Sequence, residues 1–160
     1  MKQNGNTNGV RIGWASRHIP LPAQQAELDR LFGKGNWELI PLVGSLPHGG
    51  FKDADEVIDL IRRNRLDYCV VILPMWFISK LLERLKALKI ECPLLWARME
   101  QVNDEFRPES DAIAPGGRHM RFREFRRIIK LELVTAPVTA SGNRPPEVEK
   151  IKNGRKDEEK

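Results

Sequence analysis

The chain has 160 residues, 41% of them apolar and 31% charged, which is enough apolar material for one core of ordinary size and too much for a disordered segment. A net charge of +5 and a pI near 9.4 suit polyanionic partners without requiring them. The longest apolar run, Tyr68 to Ile78, is far shorter than the roughly 20 residues that cross a bilayer, and Met1-Lys2-Gln3-Asn4 lacks a signal-peptide core, so a cytoplasmic protein with no membrane partner is expected.

Residues 1–9, rich in Asn, Gln and Gly, read as a flexible leader. A first strand over 10–16 runs into Ser16, Arg17 and His18. A helix then opens at Pro22, presents Leu28, Leu31 and Phe32 on one face and stops at Gly33, the residue type suited to a left-handed cap. A second strand is predicted over 37–43, followed by a loop with Ser45, His48, Gly49 and Gly50. The next helix has Asp53 placed to cap and Glu56 to reach back, with Ala54, Val57, Ile58 and Ile61 at helical spacing.

The unbroken apolar run 68–73 predicts a central parallel strand covered on both faces, ending at Pro74. A third helix buries Ile78, Leu81, Leu82, Leu85 and Leu88, and a fourth strand follows over 93–99. Residues 100–117 read as a long polar loop. Over 118–130, Phe122, Phe125, Ile128 and Ile129 share one side of a helical wheel, whereas Arg123, Arg126, Arg127 and Lys130 share the other; this predicts a basic helix, with a possible edge strand at 131–134 after it. The polar, charge-mixed residues 138–160 predict a disordered tail.

Alternating strands and helices imply a single α/β domain over 10–137. Its expected form is a small Rossmann-like fold with four parallel strands in the order 2-1-3-4 and helices on both faces. In such sheets ligands bind beyond the carboxyl ends of the strands. The residues predicted on that rim are Ser16, Arg17 and His18 after strand one, Ser45, His48, Gly49 and Gly50 after strand two, Pro74, Met75 and Trp76 after strand three, and Arg98, Glu100 and Gln101 after strand four. Arginines and helix amino termini favour phosphate, an aromatic ring stacks a base, and an imidazole gives and takes a proton near neutral pH. A plainer reading makes Arg98 and Glu100 a rim ion pair and buries Trp14 and Trp96 in the core.

The basic residues Arg118, Arg121, Arg123, Arg126, Arg127 and Lys130 form either a nucleic-acid surface or a solvated helix face. Cys69 and Cys92 read as small buried apolar residues, and three scattered histidines without ligand spacing predict no metal. Gly-x-Gly-x-x-Gly, Gly-x-x-x-x-Gly-Lys-Ser/Thr and Gly-x-Ser-x-Gly do not occur, so dinucleotide, P-loop and serine-hydrolase chemistry lack their turns and no cofactor is expected.

Ser16-Arg17-His18 followed by Leu21, Gln24 or Gln25, Glu27 and Leu28, ahead of a short four-stranded core, resembles the small single-domain proteins of the CRISPR-associated Rossmann fold group, some of which are ring nucleases in antiviral defence. The layout is shared over residues 10–101, the local match being confined to the end of strand one and the first helix. The resemblance implies a homodimer with cyclic oligoadenylate, or another phosphate-bearing nucleotide, at its two-fold axis. It also implies metal-independent cleavage by an internal 2′-hydroxyl, with Arg17 and Arg98 stabilising phosphate charge while His18 moves a proton. The alternative is a non-enzymatic nucleic-acid-binding accessory protein that uses the basic last helix.

Overall fold

The computed structural model describes residues 9–43, 50–132, 134–138 and 149–150; Ser45, His48 and Gly49, the predicted leader through residue 8 and most of the predicted tail lie outside the described residues. Four strands, Val10–Ala15 (β1), Trp37–Pro41 (β2), Tyr68–Val71 (β3) and Leu94–Gln101 (β4), pair in parallel, β1 lying between β2 and β3 and β3 between β1 and β4. Asp111–Ala114 (β5) and Arg118–Arg127 (β6) continue the sheet in antiparallel fashion, giving six strands in the order β2-β1-β3-β4-β6-β5. The fold is therefore mixed α/β. The expected sheet of four strands is two strands too short, because the predicted polar loop contains β5 and the predicted basic helix is β6.

Two local features explain that correction. Ala114-Pro115-Gly116-Gly117 closes a turn with Gly117 N donating to Ala114 O (3.1 Å), and Gly116 takes the positive φ of 86° that a type II turn requires after proline. Opposite β4, Arg98 pairs with Glu124 but Met99 with Phe122, so Arg123 is an extra residue in a bulge. The bulge returns Phe125 to the face already used by Phe122, and the rings pack 5.0 Å apart. A spacing of three that imitates a helix thus arises within a strand. Val134–Thr135 (β7), near the predicted edge strand, pairs with Glu149–Lys150 (β8) in a separate two-stranded ladder. The chain divides into two units, Met1–Ile129 and Lys130–Lys160.

The helices follow their sequence signals closely. Pro22–Phe32 (α1) starts on proline and ends at Gly33, whose φ is 89°. Ala54–Asn64 (α2) is capped by Asp53, whose Oδ1 accepts from Glu56 N (3.1 Å); Glu56 reaches back one residue further than expected, to Lys52 N (2.6 Å). Met75–Ala87 (α3) buries Phe77, Ile78, Leu81 and Leu85, leaving Leu82 and Leu88 only half-buried.

Ile12, Trp14, Val70, Leu95, Ala97, Phe122 and Phe125 form one sheet face, packed with Leu28 of α1. The alternate residues of β1 and β3, including Gly13 and Cys69, turn to the opposite face. There the chain just after α2 comes so close that a Cβ on Gly13 would lie 2.6 Å from Leu66 Cδ1, 3.2 Å from Leu42 Cδ1 and 3.3 Å from Cys69 Sγ. Gly13→Ala is expected to cost about 1–3 kcal/mol by overpacking. Chemical denaturation checks this; an unchanged midpoint would mean that Leu66 moves aside freely.

Candidate functional site

Parallel neighbours β2 and β3 flank β1, so the chain leaves β1 in one direction and β3 in the other, which is where an open α/β sheet leaves a crevice. A cavity of about 1000 Å³ lies there. It is lined by Trp14, Val71 and Ile78, by residues 17–19 and Leu21 after β1, and by residues 72–75 after β3. Trp96, Ala97 and Met99 of β4 and residues 112–115 and 120 of the β5–β6 hairpin close it. The walls are mostly apolar, and the polar side chains among the lining residues are those of Arg17, His18 and Gln24, with the indole N–H groups of Trp14 and Trp96.

The loop after β1 is shaped by internal hydrogen bonds. Trp14 Nε1 donates to His18 O (2.7 Å), and His18 N donates to Ser16 Oγ (3.1 Å). Ser16 is buried and acts as a turn former, while Arg17 and His18 project outward beside the cavity. Gln24 Oε1 accepts from Leu21 N (2.8 Å), and Ala23 N donates to Glu109 O (2.8 Å), so the amino terminus of α1 is satisfied within the protein. The amino terminus of α3 has no side-chain cap, and Pro74 and Met75 bring it to the cavity wall.

The remaining rim residues are placed differently from one another. Arg98 Nε lies 3.2 Å from Glu124 Oε1, enclosed and out of line for a hydrogen bond, while Glu100 Oε2 accepts from Arg123 Nε (2.6 Å). Arg98 and Glu100 therefore face carboxylate and guanidinium partners on β6 rather than each other, and neither is among the cavity-lining residues. Trp76 is 65% exposed against Phe77 and lies outside the lining, whereas Trp96, expected in the core, is 49% exposed and forms part of the wall. Trp96 lies opposite Arg126 of β6, where the sheet extends beyond its parallel part. Trp14 is buried as expected.

The predicted basic helix is corrected to β6, and with it the continuous basic side disappears. Arg121 points inward, Arg123 pairs with Glu100, Arg126 with Glu124 (3.1 Å) and Lys130 with Glu132 (3.8 Å), while Arg118 and Arg127 are exposed. Strand alternation and the bulge divide these cations between a buried position, ion pairs and open solvent.

A buried ionic cluster, not foreseen from sequence, fixes the hairpin wall. Asp111, its side chain fully enclosed, accepts from Arg121 Nε (2.7 Å), Arg121 Nη2 (2.9 Å), Arg107 N (2.8 Å) and Ser110 Oγ (3.0 Å). His119 Nε2 is 2.6 Å from the same carboxylate. The Arg121 guanidinium, followed by the Arg107 amide, His119 and Ser110, holds the Asp111 carboxyl far below the usual range. An ionised carboxylate accepts only, so His119 donates through Nε2–H. Arg121 also donates to both oxygens of Asp104 at 2.8 Å, which lowers that carboxyl too. The signal available in sequence was Asp111 and Arg121 flanking a Pro-Gly turn, where hairpin pairing sets them opposite each other.

Burial pushes the Cys92 thiol up to about 12 and raises the Cys69 thiol well above its ordinary value; both are buried, free thiols, as read from sequence. Among the described residues no group of His, Cys, Asp and Glu could hold a metal, and no helix is long and apolar enough to cross a membrane. Comparison of the chain with protein-family models, with curated proteins and with solved structures gave no match.

Proposed function

We propose that this is a Rossmann-like nucleotide-binding protein whose ligand enters the cavity between the ends of β1 and β3, and that the ligand is a cyclic oligoadenylate. The observation that carries this reading is the position of the cavity at the reversal of strand order, with Arg17, His18 and the uncapped start of α3 at its edge. A guanidinium and a helix amino terminus suit phosphate, while the apolar wall around Trp96 suits an adenine ring. The likeness of Ser16-Arg17-His18 and the first helix to the CRISPR-associated Rossmann fold group supplies the ligand class.

In this reading the protein is a homodimer. Ile19, Met75, Trp96 and Ile113 line the cavity yet remain exposed, an apolar mouth that a second copy covers around a two-fold ligand. Cleavage needs no metal: a ribose 2′-oxygen attacks the adjacent phosphorus, the bond from phosphorus to the 5′-oxygen breaks, and a linear product with a 2′,3′-cyclic phosphate results. His18 takes the 2′-hydroxyl proton and returns one to the 5′-oxygen, while Arg17 balances charge on the phosphate. Arg98, held by Glu124, has no part in it.

Thermal shift with cyclic tetra-adenylate, cyclic hexa-adenylate, duplex DNA and single-stranded RNA tests the ligand class. A rise with a cyclic adenylate alone is expected, and a rise with duplex DNA alone would overturn the reading. Trp96→Ala is expected to weaken cyclic adenylate binding about tenfold, the scale of one lost base stack, and Trp76→Ala to leave it within about twofold. Fluorescence titration of the two variants checks this, and the reverse ranking would move the base to the outer face of α3.

A further inference from the structure

We infer that a second anion site lies at the opposite end of the sheet, and that it takes the phosphate dianion of a small phosphomonoester. A cavity of about 500 Å³ opens beside the starts of β1 and β2 and the end of α2, walled by Trp37, Glu38, Arg11, Arg63 and Arg65. That volume is of small-molecule size and concave, unlike a nucleic-acid groove.

Its charge is not cancelled within the protein. Arg11 is used structurally: Nε donates to Asn64 O (2.7 Å) and Nη1 to Glu38 Oε2 (3.0 Å). Arg63 and Arg65 have no carboxylate partner among the described residues, which leaves two guanidiniums of net charge +2 on one concave surface. Two planar, permanently charged forks match the charge of a phosphate dianion and its array of acceptor oxygens.

Arg65 supplies an independent argument. It is the residue that ends α2, in the left-handed conformation with φ 51° and ψ 53°. Glycine is strongly favoured there because a Cβ strains the backbone. An arginine at this position is less favourable for folding than glycine, and its exposed side chain forms no hydrogen bond or ion pair among the described residues. This conformation places Arg65 in the cavity wall.

The carboxyl end of a helix ordinarily repels anions, but here most carbonyls of the last turn already accept hydrogen bonds. Leu60 O accepts from Asn64 Nδ2 (2.9 Å), Ile61 O from Leu66 N (3.1 Å), Arg62 O from Arg65 N (3.2 Å) and Asn64 O from Arg11. The cationic side chains therefore dominate the field of the cavity. This site is independent of the nucleotide reading for the strand-end cavity.

The test is calorimetric titration of the full chain with inorganic phosphate, adenosine 5′-monophosphate and a short single-stranded oligonucleotide that lacks terminal phosphates. Saturable binding of the first two is expected, and far tighter binding of the monophosphate assigns a nucleotide; binding of inorganic phosphate without the monophosphate would overturn the phosphomonoester proposal. Arg65→Gly is expected to weaken binding at least about tenfold while keeping or raising Tm, since glycine relieves the left-handed strain. Arg62→Ala, which removes the same charge from the same helix outside the cavity lining, is expected to change the affinity less than about twofold. Equal weakening in Arg62→Ala and Arg65→Gly, undiminished binding in Arg65→Gly, binding of the oligonucleotide alone, or no saturation below about 5 mM of either phosphate probe would each overturn the proposal.

Discussion

Asp111→Asn is expected to lower Tm by more than about 10 °C at pH 7, the largest stability effect of any conservative change in the chain. The carboxylate lies enclosed among donors from Arg107, Ser110, His119 and Arg121. An amide retains the shape but turns an N–H₂ toward groups that themselves donate, and it leaves Arg121 buried with only the half-exposed Asp104 to balance its charge. The acid limb should change as well. Because the folded-state carboxyl titrates far below its unfolded value, its contribution is fully present above about pH 4 and is lost as the pH falls through the folded value. Wild-type protein should therefore lose stability on acidification below about pH 4, and Asp111→Asn should lose less over the same range. Melting curves followed by circular dichroism from pH 7 to about pH 2.5 measure both effects; equal Tm values at pH 7 would show that hydrophobic packing alone holds the hairpin.

If the protein cleaves cyclic adenylate as proposed, His18→Ala is expected to slow that cleavage by about 100-fold or more while retaining most of the binding, and Arg17→Ala to weaken binding by about tenfold or more. The two side chains leave the same turn but carry different chemistry. Arg17 is a permanent cation suited to a phosphate; His18 can transfer a proton, and its main chain is fixed by Ser16 and Trp14. Single-turnover rates and equilibrium affinities, measured for each variant, separate the roles. Equal loss of affinity in both would make His18 a ligand contact, and wild-type rates in both would remove this loop from the mechanism.

The parallel part of the sheet was legible because each signal there is local. Proline at the start of α1, glycine at its end, the Asp53 cap and the unbroken apolar run of β3 all specify nearby backbone. The antiparallel part was illegible for a physical reason: the bulge at Arg123 imposes a spacing of three between Phe122 and Phe125 that a helix would also produce. The Pro115-Gly116-Gly117 turn was the contrary evidence, and weighing it above the wheel pattern would have given the hairpin. That one error conceals the hairpin side of the cavity wall, since Ile113, Pro115 and Met120 come from the hairpin and Trp96 is exposed on the strand beside it.

Placing residues after strands predicted Arg17 and His18 at the rim but could not tell which way alternate residues face. Arg98 and Glu100 follow the correct strand and still turn to β6, because the cross-strand partners Glu124 and Arg123 are nearer than any ligand position. Trp76 follows the correct strand too, yet the first turn of α3 rotates it outward. Register and rotation decide such cases, and both depend on long-range pairing.

The central claim, that a nucleotide enters between the ends of β1 and β3, is tested most directly by following the indole N–H resonances during titration with cyclic tetra-adenylate. Trp14 donates to the His18 carbonyl and Trp96 lines the cavity, whereas Trp37 donates to Asp29 at the other end of the sheet. Saturable shifts of the Trp14 and Trp96 signals with Trp37 unmoved are predicted. Unmoved Trp14 and Trp96 signals at ligand excess, or a response confined to Trp37, would contradict it.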